Sequence, residues 1–120
     1  ARLPPDADLP RPPDRRPETA ARFERVAADA RAAGLRVIRI PLVPLEDGYT
    51  FVTYNNVLTE RRADGRHPVY LPQYGLPALD AAGRRAWTDL GSVVHPVDVR
   101  RIYPHHGAVR CLVNALRRKA

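Results

Sequence analysis

Cys111 is the single cysteine of the chain, and the residues able to do chemistry gather around it. A thiol attacks carbon as its thiolate, so a reactive cysteine needs a positive charge or hydrogen-bond donors beside it. His105, His106, Gly107 and Arg110 stand just upstream. A histidine moves protons, a glycine lets backbone come close to a substrate, and a nearby positive charge, often that of a bound cation, lowers a thiol's pKa. The bland reading of the same residue is a small buried apolar side chain. One cysteine makes no internal disulfide and excludes a zinc site with two or more Cys ligands. His105 and His106 lack a zinc-ligand spacing such as His-x-x-x-His, so no metal is expected.

The elements that must position these groups read as follows. Residues 1–17 form an extended connector with six prolines among Asp and Arg, and no apolar face. A helix follows over 18–33, with Phe23, Val26, Ala27 and Ala30 on one face and Gly34 as its stop. Leu35 to Ile40 reads as a strand, broken by Pro41 and Pro44. Glu46-Asp47-Gly48 is a turn into a long strand over 49–60. Ala63-Asp64-Gly65 turns the chain back into a strand over 68–74. The second helix spans 77–90, with Leu79, Ala82, Ala86, Trp87 and Leu90 as its face and Gly91 after it. Val93 to Val97 is a strand, and irregular chain over 98–107 leads into a last strand, 108–116, that carries Cys111.

The order is α-β, then β-β-α-β, then β, and its halves repeat at an offset of about 58 residues. Gly34 and Gly91 each end a helix before a β-branched strand. Thr53 to Leu58 then lies over Cys111 to Leu116, which matches Asn56 with Asn114 and Leu58 with Leu116. The two asparagines fit two roles equally, binding substrate near a central axis or capping strand ends. Trp87 and Phe23 read as core, and Arg84 and Arg85 as a solvated helix face. The fold class expected is α/β: ββαβ repeats arranged as about two blades of a propeller, incomplete alone and with unpaired sheet edges.

In that order the chain resembles the pentein superfamily of guanidino-group-modifying enzymes, most of all its agmatine deiminase-like branch (the peptidyl-arginine deiminase type). The residues that carry the resemblance are Arg36 to Pro41, Tyr54-Asn55-Asn56, Pro72-Gln73-Tyr74-Gly75, Asp80, Val94 to Asp98, and His105 to Leu112. The resemblance implies that 18–45 ends one blade, 49–98 is a complete blade, and 99–120 is a closing strand with Cys111 as nucleophile. It implies a small cationic guanidino substrate met by Asn56, Asn114, His106 and Gly107, with no cofactor. The family's paired glycines are His105 and His106 here, and its His before the nucleophile is Arg110. Arg110, one residue away on the expected strand, should face away from Cys111. No Glu-x-His-x-Asp segment occurs, so the carboxylates and base would come from further N-terminal blades or another subunit. The alternative is a degenerate, non-catalytic pentein segment acting as a binding or assembly module.

Composition limits the partners. Hydrophobic residues are 44% and charged residues 28%, the balance of an ordinary globular protein. No apolar run reaches the length of about 20 residues that a bilayer requires, and the proline-rich start lacks the core of a signal peptide. A cytoplasmic protein without a membrane partner is the expectation. The net charge of +7 invites a nucleic-acid reading. Lys119 is the only lysine, however, and the arginines are scattered in short clusters without a recognised nucleic-acid motif. Solvated surface is the simpler account. Open sheet edges point instead to further blades or a second copy of the chain.

Overall fold

The computed structural model describes residues 3–114 and 116. It is a mixed α/β domain with two α-helices and two small sheets. Helix α1 is Pro17–Ala32, and the proline sits at the first helical position, where its missing N–H costs nothing. Strands β1 (Leu42–Pro44) and β2 (Phe51–Thr53) form an antiparallel hairpin, with Val43 opposite Val52. The second sheet has the order β3-β4-β5, from Leu58–Thr59, Pro68–Gln73 and Val93–Asp98. β3 meets β4 antiparallel. Helix α2 (Pro77–Asp89) then carries the chain across to β5, which lies parallel to β4 from Pro68↔Val93 to Gln73↔Asp98. β3, β4, α2 and β5 thus make one ββαβ unit.

Both expected helices and the strands over 68–74 and 93–97 are present. Three strands differ. Residues 35–40 are not a strand: no segment among the described residues pairs with them, and pairing begins only beyond Pro41, in β1. β propensity alone does not make a strand without a partner. The long strand expected over 49–60 is two short ones, because the chain leaves the first sheet at Tyr54 and joins the second at Leu58. The strand expected over 108–116 is absent among the described residues, and Arg110–Leu112 is a 3-10 turn instead. The repeat of Thr53 to Leu58 in Cys111 to Leu116 therefore has no counterpart in secondary structure. Residue 115 of that segment, and residues 117–120 beyond it, lie outside the described residues.

The core joins the two sheets. Val52, Tyr54, Val69, Leu71 and Val99 are fully buried, and Tyr74, Leu76, Leu79, Tyr103, Ala108 and Val109 pack with them. The face of α2 is rotated from the apolar one expected. Leu79, Asp80 and Gly83 are the buried positions, while Ala82, Ala86 and Trp87 are half-buried and Leu90 is exposed. Asp80, Gly83 and Trp87 stand three and four residues apart, so they share one side of the helix. That side wraps Tyr54. The Asp80 carboxylate accepts the Tyr54 hydroxyl at 2.7 Å, Gly83 leaves room for the ring, and Trp87 Nε1 donates to the Tyr54 carbonyl at 2.8 Å. Burial and the Asp80 hydrogen bond together raise the Tyr54 phenol pKa. On α1 only Ala27 is buried; Phe23 is half-buried and Val26 exposed, so neither joins the core. The apolar side of α1 instead lines a groove of about 580 Å³ with Val37, Ile38 and Ile40.

Candidate functional site around Cys111

The site is built on the segment that links the two sheets. Between β2 and β3 the chain runs through Tyr54, Asn55, Asn56 and Val57, and four bonds hold it. The Tyr74 hydroxyl donates to the Thr53 carbonyl at 2.8 Å and accepts the Thr53 N–H at 3.3 Å. Asp80 and Trp87 grip Tyr54 as described. Tyr74 in turn packs edge-on against Tyr54 and Tyr103, at ring-centre distances of 5.4 and 4.9 Å. Burial raises the Tyr74 phenol to about 12. Asn56 projects from this clamped segment.

Asn56 engages Cys111 with both ends of its amide. Its Oδ1 accepts the Arg110 backbone N–H at 2.8 Å, and its Nδ2 donates to the Cys111 sulfur at 3.2 Å. The first bond occupies an N–H that a strand partner would otherwise need. The Leu112 N–H then closes on the Val109 carbonyl at 3.2 Å, which makes the 3-10 turn. This is the physical reason that Cys111 is not on a strand. Val109, Cys111 and Val113 consequently share no strand face: Val109 is buried, and the other two are exposed.

The Cys111 thiol pKa is lowered. The Asn56 hydrogen bond is the largest cause, a backbone hydrogen bond from Ala108 is second, and the charge of Arg110 adds a smaller effect. Each donor or positive charge favours the thiolate. Gly107 lies against the cysteine, and a Cβ there would sit 3.2 Å from the Cys111 Cβ. His106 takes a left-handed backbone (φ 67°), the conformation for which glycine is the ordinary choice. Its Nδ1 lies 3.1 Å from the Thr50 hydroxyl, and its ring meets Tyr49 edge-on. A small cavity of about 70 Å³ adjoins these groups, lined by Phe51, Thr53, Asn56, Tyr103, His106 and Gly107, among others.

Of the residues singled out in the sequence, the fold brings Asn56 and Gly107 against Cys111, and His106 lines the same small cavity as those two. Asn114 is exposed and is not among the cavity's lining residues. His105 is exposed too. Among the described residues no group of three or more His, Cys, Asp or Glu is placed to hold a metal ion, and no helix is long and apolar enough to cross a membrane. Sequence reasoning missed Asp80 and Thr50 as parts of the site's support. Asp80 carried a legible signal, an acidic residue in the first turn after a Pro-opened helix. Thr50 carried none beyond its place after an Asp-Gly turn. No protein-family model, no curated protein and no solved structure matches the chain.

Asn56→Ala is expected to make Cys111 less reactive. It deletes one donor to the sulfur and releases the Arg110 N–H that shapes the turn. A hydrogen bond is worth about 0.5–1.5 kcal/mol, and this one is exposed and partly screened. Alkylation by iodoacetamide at neutral pH should slow by about two- to fivefold, with the midpoint of its pH–rate curve moved upward. An unchanged midpoint would show that Asn56 does not tune the thiol.

Proposed function

We propose that this chain is the C-terminal portion of a cysteine-dependent enzyme acting on guanidino C–N bonds, of the agmatine deiminase-like pentein type, with Cys111 as nucleophile. The observation that carries this reading is the pair of bonds from Asn56. One amide positions an exposed thiol and donates to its sulfur, and the thiol's pKa is lowered. An exposed structural cysteine needs no such support. Three further features support the reading. The ββαβ unit of β3, β4, α2 and β5 has the element order of a pentein blade. His106 holds a glycine-like backbone where the family has a glycine. Gly107 allows the chain to lie against the cysteine.

In this reading the thiolate attacks the central carbon of the guanidinium, while carboxylates hold the planar cation. No Asp or Glu lines the cavity beside Cys111. The carboxylates would come from further pentein blades or from a second copy of the chain, and the exposed edges at β3 and β5 offer places for them to pair. The same lack of carboxylates is the observation that favours the second reading, a pentein-like segment used for assembly alone.

Charged and neutral alkylating reagents separate the two. In the native protein a haloacetamidine should label Cys111 at least about tenfold faster than iodoacetamide, because a cation site concentrates the amidinium reagent. Excess agmatine or arginine should protect. Equal labelling by both reagents, without protection, would leave only the assembly reading.

A further inference from the structure

We propose that residues 36–40 and the apolar side of α1 form a docking site for one extended strand of a partner protein. That strand is apolar along its length, acidic at its ends, and adds parallel to 36–40. The proposal stands apart from the reading of Cys111 and uses none of the residues of that site.

The chain builds the same corner twice. α1 and α2 both open with a proline, and both are followed by a left-handed glycine, Gly34 at φ 80° and Gly91 at φ 81°. The Gly34 N–H donates to the Arg31 carbonyl at 2.9 Å, and the Leu35 N–H to the Ala30 carbonyl at 3.0 Å. At the second corner the Gly91 and Ser92 N–H groups make the matching bonds to Thr88 and Trp87, at 2.8 and 3.1 Å. Beyond Gly91 the chain enters β5, which lies parallel to β4, and α2 buries Leu79, Asp80 and Gly83. Beyond Gly34 it runs through 35–40 without a turn or a bend, and α1 buries only Ala27. The first corner thus has the helix and the following segment of this arrangement, but among the described residues no strand stands in the place of β4.

The groove of about 580 Å³ is bounded by the two elements that such a strand would touch. Phe23 and Val26 face it from α1, and Val37, Ile38 and Ile40 from the segment. Val26 and Ile38 are exposed, so apolar surface is open along its length. The backbone N–H and C=O groups of 36–40 have no hydrogen-bond partner among the described residues. Unpaired backbone beside apolar surface is what strand addition uses. Charge selects the partner. Arg15 lines the groove, and Arg36 and Arg85 line a smaller cavity of about 290 Å³ on the same segment. None of the three has an ion pair among the described residues, and Asp89 is the one acid in the smaller cavity. The unmatched cations call for acidic residues flanking the incoming strand. A second copy is a poorer fit: pairing 36–40 with itself, antiparallel about the middle of Val37-Ile38, sets Arg36 against Arg39, and like charges directly opposite destabilise.

The probe is a synthetic peptide with the sequence of residues 67–74, which contains the strand that fills this place at the second corner, with two glutamates added at each end. Amide hydrogen exchange is read by NMR on the full chain, with and without the peptide. Laying Gly34 over Gly91 sets Arg36, Ile38 and Ile40 over Val93, His95 and Val97, and the Val93 N–H points toward β4, donating to the His67 carbonyl. In a parallel pair every second N–H faces the same neighbour. Peptide at about 1 mM should therefore slow exchange at Arg36, Ile38 and Ile40 by about tenfold, and leave Val37 and Arg39 unchanged. Ile38→Ser, a change at an exposed side chain that the fold tolerates, should weaken binding by about tenfold. Replacing the added glutamates by lysines should weaken it by about fivefold at low salt. A peptide that leaves all five amides unprotected overturns the proposal, and so does binding that Ile38→Ser does not change. Equal binding of the glutamate and lysine peptides overturns the acidic partner. Protection of the same amides without peptide, rising with protein concentration, also overturns it, because a second copy would then fill the groove.

Discussion

Asp80→Ala is expected to destabilise the domain by about 3–5 kcal/mol, a large part of the roughly 5–15 kcal/mol that a domain has in total. The buried carboxylate accepts three hydrogen bonds: the Tyr54 hydroxyl at 2.7 Å, the Tyr74 N–H at 3.0 Å and the Leu76 N–H at 3.0 Å. The Leu76 bond is the reach-back that satisfies the N–H of the α2 cap residue. Alanine leaves a fully buried phenol hydroxyl and two backbone donors without their acceptor, and each costs about 1–3 kcal/mol if no water replaces it. Thermal unfolding should begin at least about 10 °C lower. Asp80→Asn keeps one acceptor oxygen but turns an NH₂ toward a backbone donor, so its loss should be intermediate. The damage should reach the site as well, since Tyr54 anchors the segment that presents Asn56. An alanine variant within about 1 kcal/mol of the parent would show that water serves this cluster as well as the carboxylate does.

Gly83→Ala should also destabilise, against the ordinary rule for helices. In a helix interior alanine is better than glycine by about 0.5–1 kcal/mol. At Gly83 the added Cβ would lie 2.4 Å from Tyr54 Cδ1 and 2.5 Å from Cγ. A ring can sometimes move aside, but this one is held at its hydroxyl by Asp80 and at its carbonyl by Trp87. Overpacking of this kind costs about 1–3 kcal/mol and occasionally more, so the clash should outweigh the propensity gain. Denaturant titration should place the midpoint below that of the parent, with the slope unchanged. A midpoint above it would mean that Tyr54 yields easily, and the Asp80–Tyr54 bond would then be weaker than its geometry implies. The two substitutions share the Tyr54 ring, so their effects should combine non-additively.

The elements legible from the sequence are those with local causes. Pro17 and Pro77 open helices, Gly34 and Gly91 follow their ends in left-handed backbone, and Asp64-Gly65 turns the chain between β3 and β4. Spacing of three and four residues showed that α2 has a buried face, and the short apolar runs over 68–73 and 93–98, bounded by turn signals and flanking that helix, read as strands. Cys111 could be named because it is the single thiol of the chain, Asn56 because it matched Asn114, and His106 and Gly107 because they stand in the motif before the cysteine. Their meeting could not be. Asn56 and Cys111 are brought together by the link between two sheets, and no periodicity reports where such a link passes.

The misread segments have non-local causes. Residues 35–40 have the composition of a strand but no neighbour to pair with among the described residues, and residues 108–114 lose strand geometry to one side chain, Asn56, that takes a backbone N–H. The repeat read from the helix-ending glycines, the element order and the matched Asn and Leu residues is not seen at Cys111 among the described residues: Asn56 contacts Cys111 itself, whereas Asn114 is exposed. The rotation of α2 was hidden because its buried side includes a carboxylate and a glycine, which an apolar pattern passes over. A carboxylate can be buried there only because Tyr54, Tyr74 and Leu76 all donate to it. Sequence determined the helices, the turns and the chemical character of the site. Tertiary structure decided which polar groups could be buried and which residues meet, because both depend on partners supplied by distant parts of the chain.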